Sequence, residues 1–269
     1  MGKIIAVASH KGGVGKTTLV LNLGYSLNRL GQKVLLVDGD PQGGIAIASN
    51  LKKRTSKGII NLLKKDAELG DIIIPTRDKM LSVAGIGALE SEDVFFIEKE
   101  ALRGNLGRVI QSVAHGFDYI LIDAPAGLGG MVTALLTISD GVIITINCRT
   151  ITVKTLPAFL KLVSKVRKDL NQGLRVEGII INMFNEQNSY EQEVYKEIKQ
   201  QFHPSVFFET HIPADDNIEL ASIKALPLAL LPEGNVTANA YINLAIEFMK
   251  REILDKIGGA SDELTEGLF

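Results

Sequence analysis

Residues 8–20, ASHKGGVGKTTLV, set Gly12, Gly13 and Gly15 directly ahead of Lys16, Thr17 and Thr18. Glycines at that spacing let successive backbone N–H groups approach an anion that a Cβ would hold off. A lysine then supplies charge and a hydroxyl supplies a metal ligand, as in the phosphate-binding pattern G-x-x-x-x-G-K-[ST]. The first glycine of that pattern falls on position 10, which holds His10, and a second cation, Lys11, follows it. Three carboxylates accompany the loop. VLLVDGD ends in Asp38 and Asp40, two apart and so on one face of an extended chain, and DYILID ends in Asp123. A triphosphate with Mg²⁺ calls for this set: acids to hold the metal and its waters, and a carboxylate near an attacking water. His10, His115, His203 and His211 are scattered and form no metal-ligand pattern.

The elements that must position these residues are legible as alternating patterns. KIIAVAS, KVLLVDGD, DYILIDAP, GVIITIN, VEGIIINMF and KMLSVAGIG are short, rich in Val and Ile, and bounded by Gly, Asp or Pro, which predicts buried strands. Helices are predicted over residues 16–30, 98–114, 154–169, 189–201 and 237–256. Strands apolar on both faces and separated by helices predict an α/β fold, a mostly parallel sheet with helices on both faces. In such a sheet ligands bind outside the carboxyl ends of the strands, where the loop and all three aspartates fall. The segment 51–77, with the basic run LKKRTSK, has the weakest pattern. One domain built on the phosphate-binding loop is expected over 1–257, followed by an acidic tail, 258–269.

The 269 residues are 46% hydrophobic and 22% charged, with a formal net charge of -2, which suits a globular protein able to bury a core unaided. A single cysteine, Cys148, excludes an internal disulfide framework and dithiol chemistry. MGKIIAVAS runs straight into a strand and reads as no signal peptide, and no apolar run approaches the ~20 residues of a membrane span. A cytoplasmic address is therefore expected. The balanced charge confines any nucleic-acid binding to a local patch.

KGGVGKTT, VLLVDGDPQGG and FDYILIDAPAGLGG resemble, in order and spacing, the ParA/MinD group of deviant Walker-A ATPases, over residues 1–145 and, with fewer matches, 176–230. The resemblance implies ATP and Mg²⁺ as cofactors. The nucleotide would lie against Gly12, Gly13, Val14, Gly15, Lys16, Thr17 and Thr18. Thr17, Asp38 and Asp123 would serve Mg²⁺, and Asp40 would help hydrolysis. It also implies that Lys11 reaches across a homodimer to the partner's nucleotide. GIIINMF places Asn182, and IPADDNIELASIKALPL places Pro213 and Asp215, where the family has its adenine pocket.

For the cargo, DGDPQGG resembles the partition-type ParA sequences, whereas DAPAGLGG leans toward MinD and flagellar-number relatives. The ParA-like reading implies nonspecific DNA binding by the ATP dimer, slow hydrolysis stimulated by an adaptor or activator protein, and nucleoid association. Lys154, Lys161, Lys165 and Lys168 are spaced seven, four and three apart, nearly on one helix face, and are the candidate DNA contacts, with LKKRTSK as a second basic patch. The alternative is a MinD-like, membrane-associated regulator of division site or flagellar number. The final helix, YINLAIEFMKREILDKI, mixes charges, and its apolar spacing predicts a core face rather than a membrane anchor.

Overall fold

The computed structural model describes residues 2–51, 53–231 and 235–258. The first half of the chain forms β1 (Lys3–Ala8), α1 (Lys16–Arg29), β2 (Val34–Asp38), α2 (Gly44–Ala48), α3 (Ile59–Lys64), α4 (Leu69–Ile72), β3 (Ile73–Pro75), β4 (Leu81–Ala84), α5 (Ser91–Leu102) and α6 (Asn105–Val113). Then follow β5 (Tyr119–Asp123), α7 (Gly130–Ile138), β6 (Gly141–Ile146), α8 (Thr150–Asp169), β7 (Arg175–Ile181), α9 (Ser189–Gln201), α10 (Asn217–Lys224) and α11 (Asn235–Gly258). The strands make one seven-stranded sheet in the order β3-β4-β2-β5-β1-β6-β7. All neighbours are parallel except β3, which runs antiparallel to β4 at the edge.

Both faces of the central strands are buried, which is why they read as continuous apolar runs. Alternation sorts their side chains. Ile4, Ala6, Leu35, Val37, Ile120 and Ile122 pack one way, against α5, α6, α7 and α8. Ile5, Val7, Leu36, Leu121 and Ile143 pack the other way, against α1, α10 and α11. The expected α/β fold with helices on both faces is the observed one. Because β2, β5 and β1 lie side by side, the carboxyl ends that carry Asp38, Asp123 and the glycine-rich loop meet at one place.

The helix predicted over 98–114 is two helices. Gly104 adopts φ 76°, a left-handed conformation that ends the first helix and begins the second. The weakly patterned segment 51–77 holds two short helices and the antiparallel edge strand. Helix α7 follows DAPAGLGG without a sequence prediction, because its nine residues have hardly any polar face to give a helical period. Along α11, Tyr241, Leu244, Ala245 and Phe248 are buried as the predicted core face. Its last turns also carry exposed Ile253, Leu254 and Ile257, a second apolar face that the sequence reading did not separate. The expected acidic tail lies, from residue 259, outside the described residues.

Candidate functional site

The glycine-rich turn leaves β1 and enters α1 with Gly13 at φ 71° and Gly15 at φ 81°, backbone that side-chain-bearing residues adopt only under strain. Gly15 directly precedes α1, so the first amide groups of that helix face the loop with no side-chain cap to occupy them. This is an anion site by construction. Lys16 is buried at the same point, and burial lowers its pKa, opposed by the negative charges of Asp123 and then Asp40. Gly12 and Gly13 are exposed, Val14 is buried in the core beneath them, and Thr18 is half-buried.

Asp38 and Asp123 lie side by side in register at the ends of β2 and β5. Both are buried, at 0% and 1% exposure. Asp38 Oδ2 accepts from the amides of Ile45 and Ala46 at 3.1 and 3.5 Å. Asp123 Oδ2 accepts from the Thr17 hydroxyl at 2.6 Å. The other oxygen of each carboxylate, Oδ1, is buried with no hydrogen-bond partner among the described residues. Burial first, and the neighbouring Asp123 second, push the Asp38 pKa up to about 8. Burial raises Asp123 to about 6, opposed by the Thr17 hydrogen bond and by Lys16. Two desolvated carboxylates with orphaned oxygens beside a hydroxyl form a hard oxygen donor set, which fits Mg²⁺.

Asp40 is half-buried at the rim, its Oδ1 accepting from the Gln42 amide at 2.9 Å. Lys11 is also half-buried at the mouth of the loop. Its backbone amide donates to Ser9 Oγ at 3.3 Å, while its ammonium forms no ion pair among the described residues. His10 turns its ring onto α8, with Nδ1 3.2 Å from the Thr155 carbonyl. Sequence reasoning missed that tie, and also missed the Ile45 and Ala46 amides that hold Asp38. The signal for the amides was the Gly43-Gly44 pair in DPQGG. Gly43 has φ 66°, and a Cβ on Gly44 would sit 3.0 Å from Thr17 Oγ1.

The residues expected around the base have other partners here. Asn182, 1% exposed, donates from Nδ2 to the carbonyls of Val14 and Gly15 at 2.9 and 3.3 Å and accepts at Oδ1 from the Met183 amide. Its amide braces the phosphate loop, and reading a base would require these bonds to be exchanged. Asp215 receives the Asn217 amide at 2.9 Å and the Thr237 hydroxyl at 2.6 Å, tying the loop before α10 to α11. Pro213 pairs as an isolated bridge with Phe184 and is half-exposed at the same edge. Lys154, Lys161, Lys165 and Lys168 are all exposed on α8, opposite the buried Val153, Leu156, Phe159, Leu160, Val163 and Val166. Of the second patch, Lys53, Arg54 and Lys57 are exposed and Lys52 is outside the described residues.

The AAA domain family matches residues 2–176. Soj, the sporulation initiation inhibitor protein of Bacillus subtilis, is 35% identical over 252 residues, which span 92% of this chain and 98% of Soj. The chromosome partitioning protein ParA of Myxococcus xanthus is 29% identical over 254 residues, 94% of this chain and 89% of that one. The septum site-determining protein MinD of Pyrococcus horikoshii, solved with Mg-ADP, superposes with a TM-score of 0.72 at 28% identity over 97% of this chain and 99% of that one. No described helix is long and apolar enough to cross a membrane. On the loop, the paired aspartates and these similarities together, the chain belongs to the ParA/MinD family of P-loop ATPases.

Proposed function

We propose that this protein is an ATP-controlled dimerisation switch of the ParA type that positions DNA or another large cargo. The observation that carries the reading is the pairing of two lysines in one loop, Lys16 buried against its own carboxylates and Lys11 at the mouth with an uncommitted ammonium. Amides from Gly12 to Gly15 and the start of α1 cradle the phosphates of ATP, and Lys16 pairs with them. Thr17, Asp38 and Asp123 would hold Mg²⁺, which when bound neutralises phosphate charge. Asp40, polar and partly open at the rim, orients the attacking water. Two such sites face to face would bring strong negative charge together, an arrangement opposed by Coulomb repulsion unless cations intervene. Lys11 of each subunit supplies that cation only when the opposite site is filled, so dimerisation reports on ATP and hydrolysis, stimulated by an adaptor or activator protein, resets it. The similar ParA of Myxococcus xanthus is a chromosome partitioning protein, and the exposed lysine face of α8 is the surface of this chain that would meet DNA. The His10–Thr155 contact joins that helix to the phosphate loop.

A second reading rests on one observation, the exposed Ile253, Leu254 and Ile257 at the end of α11. In a MinD-like protein such a face would lie in a lipid interface. Liposome co-sedimentation with ATP, abolished in Ile253→Glu/Ile257→Glu, would establish it. The ParA reading expects no ATP-dependent lipid binding by the wild type.

For DNA, the triple variant Lys161→Ala/Lys165→Ala/Lys168→Ala should lose ATP-dependent retention, measured by fluorescence anisotropy on duplexes of unrelated sequence. The slope of log affinity against log salt should flatten by about 0.9 for each phosphate contact removed. Retention that is equal in wild type and variant at low salt refutes the α8 surface.

The two carboxylates also predict a trade of stability for binding. A carboxyl whose folded pKa is raised gives its full stability below the ordinary carboxylate range and loses it as pH climbs toward about 8 for Asp38. Asp38→Asn keeps an acceptor for Ile45 and Ala46 without the charge. Differential scanning fluorimetry without Mg²⁺ at pH near 8 should show a higher midpoint for the variant, about 2–4 °C for each kcal/mol recovered. Mg²⁺-dependent nucleotide binding should be lost at the same time. A variant midpoint at or below wild type contradicts the electrostatic strain assigned to the pair.

A further inference from the structure

Between α1, α10 and the β3–β4 turn lies a cavity of about 420 Å³ that shares only Thr18 with the candidate nucleotide site. Its walls are apolar: Leu21 of α1, Leu36 of β2, Leu81 and Val83 of β4, and Ile218 and Ala221 of α10. Its rim carries Arg54, Arg77 and Lys224 against one acid, Asp78. Arg54 is steadied by a 3.4 Å bond to the Pro75 carbonyl. Asn50, with φ 53°, and Ala225, with φ 50°, line the same cavity. Both mark helix ends on the cavity wall: Ala225 is the left-handed cap of α10, and Asn50 follows the last turn of α2.

We propose that this cavity is a second ligand site, for a small amphipathic organic anion whose apolar body fills the pocket while a carboxylate, sulfonate or phosphate head meets Arg54, Arg77 and Lys224. The volume is that of a small-molecule site, and convergent polar groups over apolar walls are what orient such ligands. Three cations facing one acid select a negative head and disfavour a positive one. The site is placed to influence the phosphate loop. Asn22, which also lines the cavity, donates to the Thr18 carbonyl at 2.9 Å and accepts the Leu228 amide at 2.9 Å. A ligand pressing on Asn22 therefore bears on the first turn of α1, next to Thr17.

Anilinonaphthalene sulfonate is a suitable probe, because it joins an aromatic body to one anionic head. Its fluorescence titration is run with saturating Mg-ATP, so that the nucleotide site cannot serve as the probe's site. Saturable one-site binding is expected in the wild type. Arg77→Glu/Lys224→Glu should weaken it about tenfold or more, the loss of charge-assisted contacts. Ser222→Phe, which adds bulk from the exposed face of α10 into the cavity, should weaken it comparably. Thermal midpoints near wild type show that both variants fold. Absence of saturable binding, or an unchanged affinity in either folded variant, overturns the proposal.

Discussion

The placement of negative charge governs this structure. Asp38 and Asp123 are fixed next to each other by strand register and are buried, so neither can turn to solvent. Burial and the neighbouring Asp123 push Asp38 up to about 8, so near neutral pH the pair avoids a second full charge by keeping a proton, and the repulsion between two charges is met only as pH rises past that value. Backbone amides from α2, the Thr17 hydroxyl and Lys16 offset part of that repulsion, and an orphaned oxygen remains on each carboxylate. A fold that keeps such a pair without a cation holds strain that a cation relieves. The same reasoning, extended from two carboxylates to two nucleotides, supplies the physical case for Lys11 in the proposed switch.

The surrounding elements serve that constraint. Adjacent β2, β5 and β1 bring the acids to the loop, and helices on both faces exclude water from them. Asn182 braces the loop from β7, while His10 reaches across to α8, whose outer face is lined with lysines. Hydrogen bonds thus tie the phosphate loop to two neighbouring elements, β7 and α8. On the opposite side, Asn22 connects α1 to the loop after α10 and to the cavity proposed as a second site.

Much of the site was legible in the sequence because its chemistry is local. The glycines, Lys16 and Thr17 are contiguous, and Asp38 and Asp123 terminate strands whose apolar runs fix where they end. The central sheet was legible for the same reason, since strands buried on both faces show unbroken Val and Ile. What escaped depends on distant partners or on weak periodicity. The His10–Thr155 and Asn182–Val14 bonds join residues more than a hundred positions apart, and nothing near either residue announces them. Helix α7 lacks a polar face, α2 is only five residues long, and one helix was read where Gly104 divides two. The bonds of Asp215 to the start of α10 and to Thr237 depend likewise on the fold.

The central claim is that Lys11 serves the opposite subunit while Lys16 serves its own. Sedimentation velocity with saturating Mg-ATP separates the two roles directly. Lys11→Ala should bind nucleotide yet remain a monomer, while Asp40→Ala, slowed in hydrolysis, should accumulate as a dimer. A stable Mg-ATP dimer of Lys11→Ala would contradict the account.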